Sequence, residues 1–559
     1  MLEKLFKKLN FDVPDPRFEL LETEKGVPNE RREAKAKKGS AFWCKGRAKT
    51  GEGRRNDQGS ERLSFSLQKN ERLFRALFSS DINTDIIFRR FETGFGEEAL
   101  VIFMNGMADA ASVSDFIIRP LMDAAEGEAD ETRILECAVQ IGEAEESCEI
   151  AAIEAAILEG RTALFLNGRR RALLLETRGF EKRSVTTAEN ERIVRGPQEG
   201  FTESIRTNVT LVRRIVKTRD MIASYRDAGG ENGTKLALLY RKNIVNPALL
   251  SEIEGRLARI ETALVSSSGV IEQLIEDSPR SPLPQTLATE RPDRVASFLM
   301  NGSVALIAEG SPFALIMPAT AAALLNSPED VYMRRPLGTL MRIVRYIGVF
   351  ISLILPGYFV AVALYHQGLL STEVLSTLIK SREMVFEPLP FEMILLLFVF
   401  QLIREAGMRV PGSVGQAIGV IGGLILGQAA VSANLASTVI LIIVALSGLG
   451  NLCIPDYSTQ IAASYFRIGF VIAAWLGGLL ALTGAFIIFT AYMANLKSFG
   501  VPFLSPTAPK TFTKRPAILR GAIGRGVRMD DWLNTEAEAE ERANEGGKRG
   551  SGGLRRKKA

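Results

Sequence analysis

The chain has 559 residues, is 46% hydrophobic and 24% charged, and carries 69 Lys and Arg against 64 Asp and Glu, room for several domains. One histidine, His366, leaves almost nothing for a histidine-based metal site or triad, and four scattered cysteines (Cys44, Cys137, Cys148, Cys453) without a CxxC pair suit a reduced setting. The +5 net charge gathers in flanking runs such as KAKKG, GRGVR and RRKKA with no aromatic-studded basic motif, which favours anionic lipid over nucleic acid.

Two populations share the chain: residues 1–298 are rich in Arg, Lys and Glu, whereas 343–496 are apolar with few charges. Residues 1–60 lack periodicity and read as a flexible charged leader, with no signal-peptide pattern. A first α/β subdomain is expected over 61–196 and a second over 197–330. LSFSLQKNERLFRALF (63–78) and FTESIRTNVTLVRRIV (201–216) both have a helical apolar face and align Ser66 with Ser204, Asn70 with Asn208 and Arg75 with Arg213. Strand pairs follow at 84–92 with 98–106 and at 220–227 with 234–242, then helices at 111–122 and 246–260, the second with Asn246 as N-cap and Pro247 in its first turn. Residues 162–176 and 303–317 read as hairpins turning at Asn167-Gly168 and Glu309-Gly310. Chance likeness of short amphipathic segments is the alternative to a repeat. Val304–Leu325 would score as hydrophobic, yet Glu309, Gly310, Pro312 and Pro318 make it strand-turn-strand and not a span.

A transmembrane domain is expected over 331–506. Four stretches, 346–364, 413–433, 436–454 and 467–492, can each cross about 30 Å of hydrocarbon. FEMILLLFVFQLI (391–403) is short and reads as a re-entrant or interfacial element, closed by Arg404-Glu405. Basic residues before the first span and after the last place both flanks on the cytoplasmic side. Residues 507–559 read as a charged, disordered tail. The fold class is thus an α/β cytoplasmic N-terminal region of two tandem related subdomains, followed by an α-helical multi-span membrane domain.

In GQAIGVIGGLILGQ, Gly415, Gly419, Gly423 and Gly427 recur every fourth residue between Gln416 and Gln428. Small-xxx-small spacing lets membrane helices approach closely. Two readings stand: close packing within one subunit, or packing of this helix with its copies or neighbours around a narrow conduit lined in part by the glutamines. Arg404 and Glu405 are either a gating pair or an interfacial ion pair that positions the helix. No Walker A loop, nucleophile elbow, zinc pair or dinucleotide fingerprint occurs, so neither catalysis nor a cofactor nor a metal is expected.

Several motifs in fixed succession carry a resemblance: RGPQEGFTESIRTN (195–208), IEDSPRSPLPQ (275–285), ERPDRVA (290–296), EGSPFALIMP (309–318), NSPEDVYMR (326–334), REAGMRVPGSVGQAIG (404–419), LGQAAV (426–431) and SFGVPFLSP (498–506). Over 61–506 the chain resembles the A subunit of GerA-type spore germinant receptors. That resemblance implies a multi-pass protein of the spore inner membrane with both terminal regions facing the spore core. It also implies B and C partner subunits, a nutrient germinant sensed through B, and a homo-oligomer of A subunits forming a ligand-gated cation channel in contact with membrane lipid. A scaffold clustering germination proteins, and the family branch associated with dipicolinate release, are the alternatives. A secondary transporter fits less well, since no inverted repeat is evident.

Overall fold

A computed structural model describes residues 62–123, 141–179, 187–188, 190–230, 233–262, 264–383, 385, 387–409, 423, 425, 427–510, 518–520 and 533. The first α/β unit contains α1 (Leu67–Leu77), β1 (Ile86–Glu92), β2 (Glu98–Met104), and α2, whose turns Ala110–Val113 and Arg119–Asp123 are joined by a π turn over Ser114–Ile118. It continues with β3 (Ala144–Ser147), α3 (Ile150–Leu158), β4 (Thr162–Leu166) and β5 (Ala172–Leu175). The second contains α4 (Ile205–Ile215), β6 (Met221–Ala228), β7 (Thr234–Arg241), α5 (Pro247–Ala258), α6 (Ser268–Ile275), β8 (Leu287–Thr289), α7 (Pro292–Leu299), β9 (Val304–Ala308) and β10 (Ala314–Met317). The two sheets are ordered β1-β2-β4-β5-β3 and β6-β7-β9-β10-β8, one strand order used twice, with every pairing antiparallel.

Central strands are buried on both faces and therefore read as continuous apolar runs. In the first sheet, Leu100, Ile102, Ala163 and Phe165 face α1 and α3, while Val101, Phe103, Leu164 and Leu166 face α2. In the second, Ala237, Leu239, Ala305 and Ile307 face α4 and α7, and Leu236, Leu238, Val304 and Leu306 face α5 and α6. The aligned asparagines perform one task twice. Asn70 accepts from the Ser64 amide at 2.9 Å and donates to the Ser64 carbonyl at 2.8 Å. Asn208 makes the same pair of bonds to Thr202, at 2.7 and 2.5 Å, closing the chain onto the start of each helix. The aligned arginines differ. Arg75 pairs with Glu71 at the surface, whereas Arg213 is buried, reaching back to the first unit through Asp85 Oδ2 (3.2 Å) and Asn83 Oδ1 (3.1 Å).

The helical half comprises α8 (Ala321–Leu325), α9 (Glu329–Tyr332), α10 (Arg335–Tyr365), α11 (Thr372–Arg382), α12 (Leu389–Arg409), α13 (Thr438–Leu452) and α14 (Tyr457–Asn495), followed by the strands β11 (Lys497–Ser498) and β12 (Val501–Pro502). Among the described residues α10 and α14 are long and apolar enough to cross a membrane; α13 is apolar with 15 residues. The run at 391–403 lies within a 21-residue helix, Leu389–Arg409, which Arg404, Glu405 and Ala406, all good helix formers, carry onward. Residues 304–317 are the strand pair β9–β10. In α14 the non-helical Gly477 and the positive φ of Gly478 (60°) break the axis into two helices. Within 507–559, Arg520 and Leu533 are buried against the body: Arg520 donates to the carbonyl of Val331, and the carbonyl of Leu533 accepts from Asn246 Nδ2.

Candidate coupling junction and membrane-helix core

Four of the sequence motifs meet where the second α/β unit joins the helical half. The loop at 498–506 turns at Phe499 (φ 47°) and Gly500 (φ 78°), positions needing left-handed backbone, and pushes Phe499 into the core beneath α5. The ring is fully buried under the Arg256 guanidinium, 4.5 Å from its centroid, and the Phe499 amide donates to Asp277 Oδ2 at 2.6 Å. Ser498 Oγ donates to the Gln285 carbonyl (2.6 Å) and accepts from the Ala319 amide (2.9 Å). Tyr492 near the end of α14 donates to Ser281 Oγ at 2.6 Å. The apolar core of the second unit thereby runs without a break into Ala462, Leu496 and Phe503.

Carboxylates crowd this junction. Burial drives the Glu276 pKa up to about 8, with Glu272 and Asp277 adding to the rise and the Gln285 amide opposing it. Glu272 is raised by burial as well, against a bond from Thr286. On the α10 side, Asp330 is buried and held by Arg342 (3.1 Å) and Arg345 (2.9 Å). Arg294 bridges Glu191 to the carbonyls of Ala323 and Asn326. Asp293 Oδ2 accepts from Arg291 (2.9 Å) and Tyr332 (2.6 Å), and burial with that carboxylate pushes the Tyr332 phenol up to about 12.

Within the helical half, glycines seat α10 against its neighbours. A Cβ on Gly450 would lie 2.4 Å from the Gly348 carbonyl oxygen, and one on Gly357 would lie 3.0 Å from the Phe470 carbonyl. Arg467 of α14, 1% exposed, donates to Ser447 Oγ (3.0 Å) and Ser464 Oγ (3.5 Å), while Asn451 donates to Ser464 and Ser447 to the Ser352 carbonyl. Glu392 is equally buried, accepting from the Ser437 amide and lying 3.3 Å from Arg382 Nε. Sequence reading passed over Arg467 and the 348–450 glycine contact. A single arginine disappears in the hydropathy average of 467–492, and these glycines repeat on no regular spacing.

Gly415, Gln416 and Gly419 lie outside the described residues. Among the described residues none lies within 4 Å of a Cβ on Gly423, one on Gly427 would meet only Leu441, at 3.5 Å, and Gln428 is exposed. Gly423 and Gly427 are themselves half-buried. Arg404 and Glu405, successive on α12, point about 100° apart. The three guanidinium nitrogens of Arg404 are buried without a hydrogen-bond partner among the described residues. Among the described residues no group of three or more His, Cys, Asp or Glu could hold a metal ion.

The family model for the Bacillus/Clostridium GerA spore germination protein matches residues 72–526, and so runs 20 residues past the end of the motif succession at 506. Spore germination protein KA of Bacillus subtilis (strain 168) is 35% identical over 433 residues, covering 76% of this chain and 79% of that protein. The uncharacterized membrane protein YfkQ of the same organism is 32% identical over 465 residues, covering 80% and 91%. The crystal structure of the N-terminal domain of the A subunit of the Bacillus megaterium spore germinant receptor GerK3 matches at 28% identity and a TM-score of 0.37, over 46% of this chain and 97% of that one.

Proposed function

This chain belongs to the GerA spore germination family, and from that membership we propose that it is the A subunit of a germinant receptor in the spore inner membrane, forming a ligand-gated cation channel with its own copies. Its B and C partners supply the nutrient signal, with the germinant sensed through B, and both terminal regions face the spore core. The observation that carries the channel reading is the small-residue row at Gly423 and Gly427, where among the described residues only Leu441 comes within 4 Å of an added Cβ. A row of small residues is suited to close approach by a neighbouring copy, and the exposed Gln428, about 100° round the helix from Gly427, offers polar atoms to a hydrated path beside it.

Gating on this reading is a shift between two packings of the helices, biased through the junction. The start of α10 is tied to α9 by Asp330, and α9 is tied to α7 of the second α/β unit by the Tyr332–Asp293 hydrogen bond (2.6 Å). The end of α14 is tied to that unit by Phe499, so displacement of the unit would move both helices together. The test is nutrient-triggered potassium release from spores carrying Gly423→Leu, with membrane level and partner association measured alongside. Loss of release at normal level and association is expected. Normal release would remove this helix from the conduction path and favour a scaffold in which the spans only anchor the α/β units.

A further inference from the structure

A cavity of about 180 Å³ opens between α7, the 320–332 segment and the first turns of α10, bordered by Asp293, Arg294, Ser297, Asn301, Tyr332 and Arg342. That is room for a small ligand with several waters, since one water needs about 10–15 Å³ on the same measure. Arg342 is the informative wall. Its side chain is 10% exposed, its Nε is committed to Asp330, and its two terminal nitrogens have no acceptor among the described residues. Asn301, 8% exposed, also has no side-chain hydrogen bond among them.

The ion pairs around the cavity leave the head of Arg342 half used. Asp293 pairs with Arg291 through Oδ2, Glu191 with Arg294, near which the half-buried Asp456 adds a further carboxyl, and Asp330 is shared by Arg342 and Arg345. On the same wall, Asp293 Oδ1 and Asn326 Oδ1 are buried without a hydrogen-bond partner among the described residues. The unused Arg342 N–H groups and the Asn301 amide on the cavity wall are donors that an oxyanion uses, and Asp293 Oδ1 and Asn326 Oδ1 are acceptors for a protonated oxygen of the same group. We propose that this cavity binds a small oxyanion, a phosphate or carboxylate group, through Arg342 with Asn301 beside it. Arg342 lies just before the apolar part of α10, so the group is either a free anion or the phosphate of a lipid headgroup. Occupancy would fix Arg342 between ligand and Asp330 and so bear on the foot of α10. The inference does not depend on the channel reading.

The full chain in detergent is titrated with inorganic phosphate by calorimetry at constant ionic strength, as wild type, Arg342→Gln and Ser297→Trp. Saturable binding is expected in the wild type, about tenfold weaker in Arg342→Gln through loss of a charge-assisted bond. It should vanish in Ser297→Trp, where an exposed residue on the rim is replaced by a plug. A second arm places the protein in phosphatidylcholine nanodiscs with or without phosphatidylglycerol. If the lipid headgroup is the occupant, phosphatidylglycerol suppresses the phosphate heat and is retained by the wild type but not by the variants in native mass spectrometry. If a free anion is the occupant, the lipid changes nothing. No saturable phosphate binding together with no retained anionic lipid overturns the proposal, as does binding unchanged in either variant. Should Arg342→Gln not fold, Ser297→Trp decides alone.

Discussion

Single side chains at the junction set how it responds to pH. Glu276 titrates near 8 because its carboxylate would be buried beside Glu272 and Asp277, so it is held protonated near neutrality. A carboxyl whose folded-state pKa is raised contributes stability that is complete below its unfolded value. That contribution is lost as pH rises through the folded value, here from about 4.5 to about 8. Melting temperatures of the full chain should therefore fall across that window, and Glu276→Gln should flatten the fall. An identical slope in the variant would move the effect to another group. Reading the sequence could not find this residue, since nothing in IEDSPRSPLPQ says which acid will be covered. Arg213 teaches the same lesson: aligned with Arg75, it gave no sign that one lies at the surface and the other is sealed against Asp85, whose carboxyl burial raises despite that partner.

At the scale of elements, legibility followed length and periodicity. The amphipathic helices α1 and α4, the long strand pairs and the Asn246 cap were readable because local chemistry specifies them, Asn246 accepting from the Ala248 amide at 2.9 Å. The strands β3, reading AEES, and β8, of three residues, were not. Each is a short edge strand defined only by pairing with β5 or β10, which is non-local information. In the helical half the regular glycine stripe drew the eye, while the glycines that weld α10 to α13 sit at Gly348 and Gly450. This contrast is measurable. Gly450→Ala forces a Cβ onto the Gly348 backbone and should cost about 1–3 kcal/mol, whereas Gly423→Ala meets none of the described residues within 4 Å and should cost a detergent-solubilised single chain nothing. Thermal unfolding of both variants checks it; equal melting points would contradict the close contact.

At the scale of the molecule, the question is whether the α/β half and the helical half behave as one body. Composition separates them sharply, and the domain reading with a boundary at 330 treats them as neighbours. The core says otherwise for the second unit, since α14 contributes Ala462 to it and the following loop contributes Leu496, Phe499 and Phe503. A signal that reaches the second unit thus has a direct mechanical path to the end of α14. Phe499 is the test of that path, because it is fully buried in the α/β core four residues after α14 ends at Asn495. Phe499→Ala removes a buried ring at a cost of about 3–5 kcal/mol. If the loop is the coupling, that loss should appear as decoupling. Hydrogen exchange in β8–β10 and in the last turns of α14 should rise together in the variant, while β1, β2 and β4 in the first unit keep wild-type protection. Unaltered exchange at the end of α14 would mean that the helix is held by its membrane neighbours alone, and the route for gating would then have to run through Asp330 and α10.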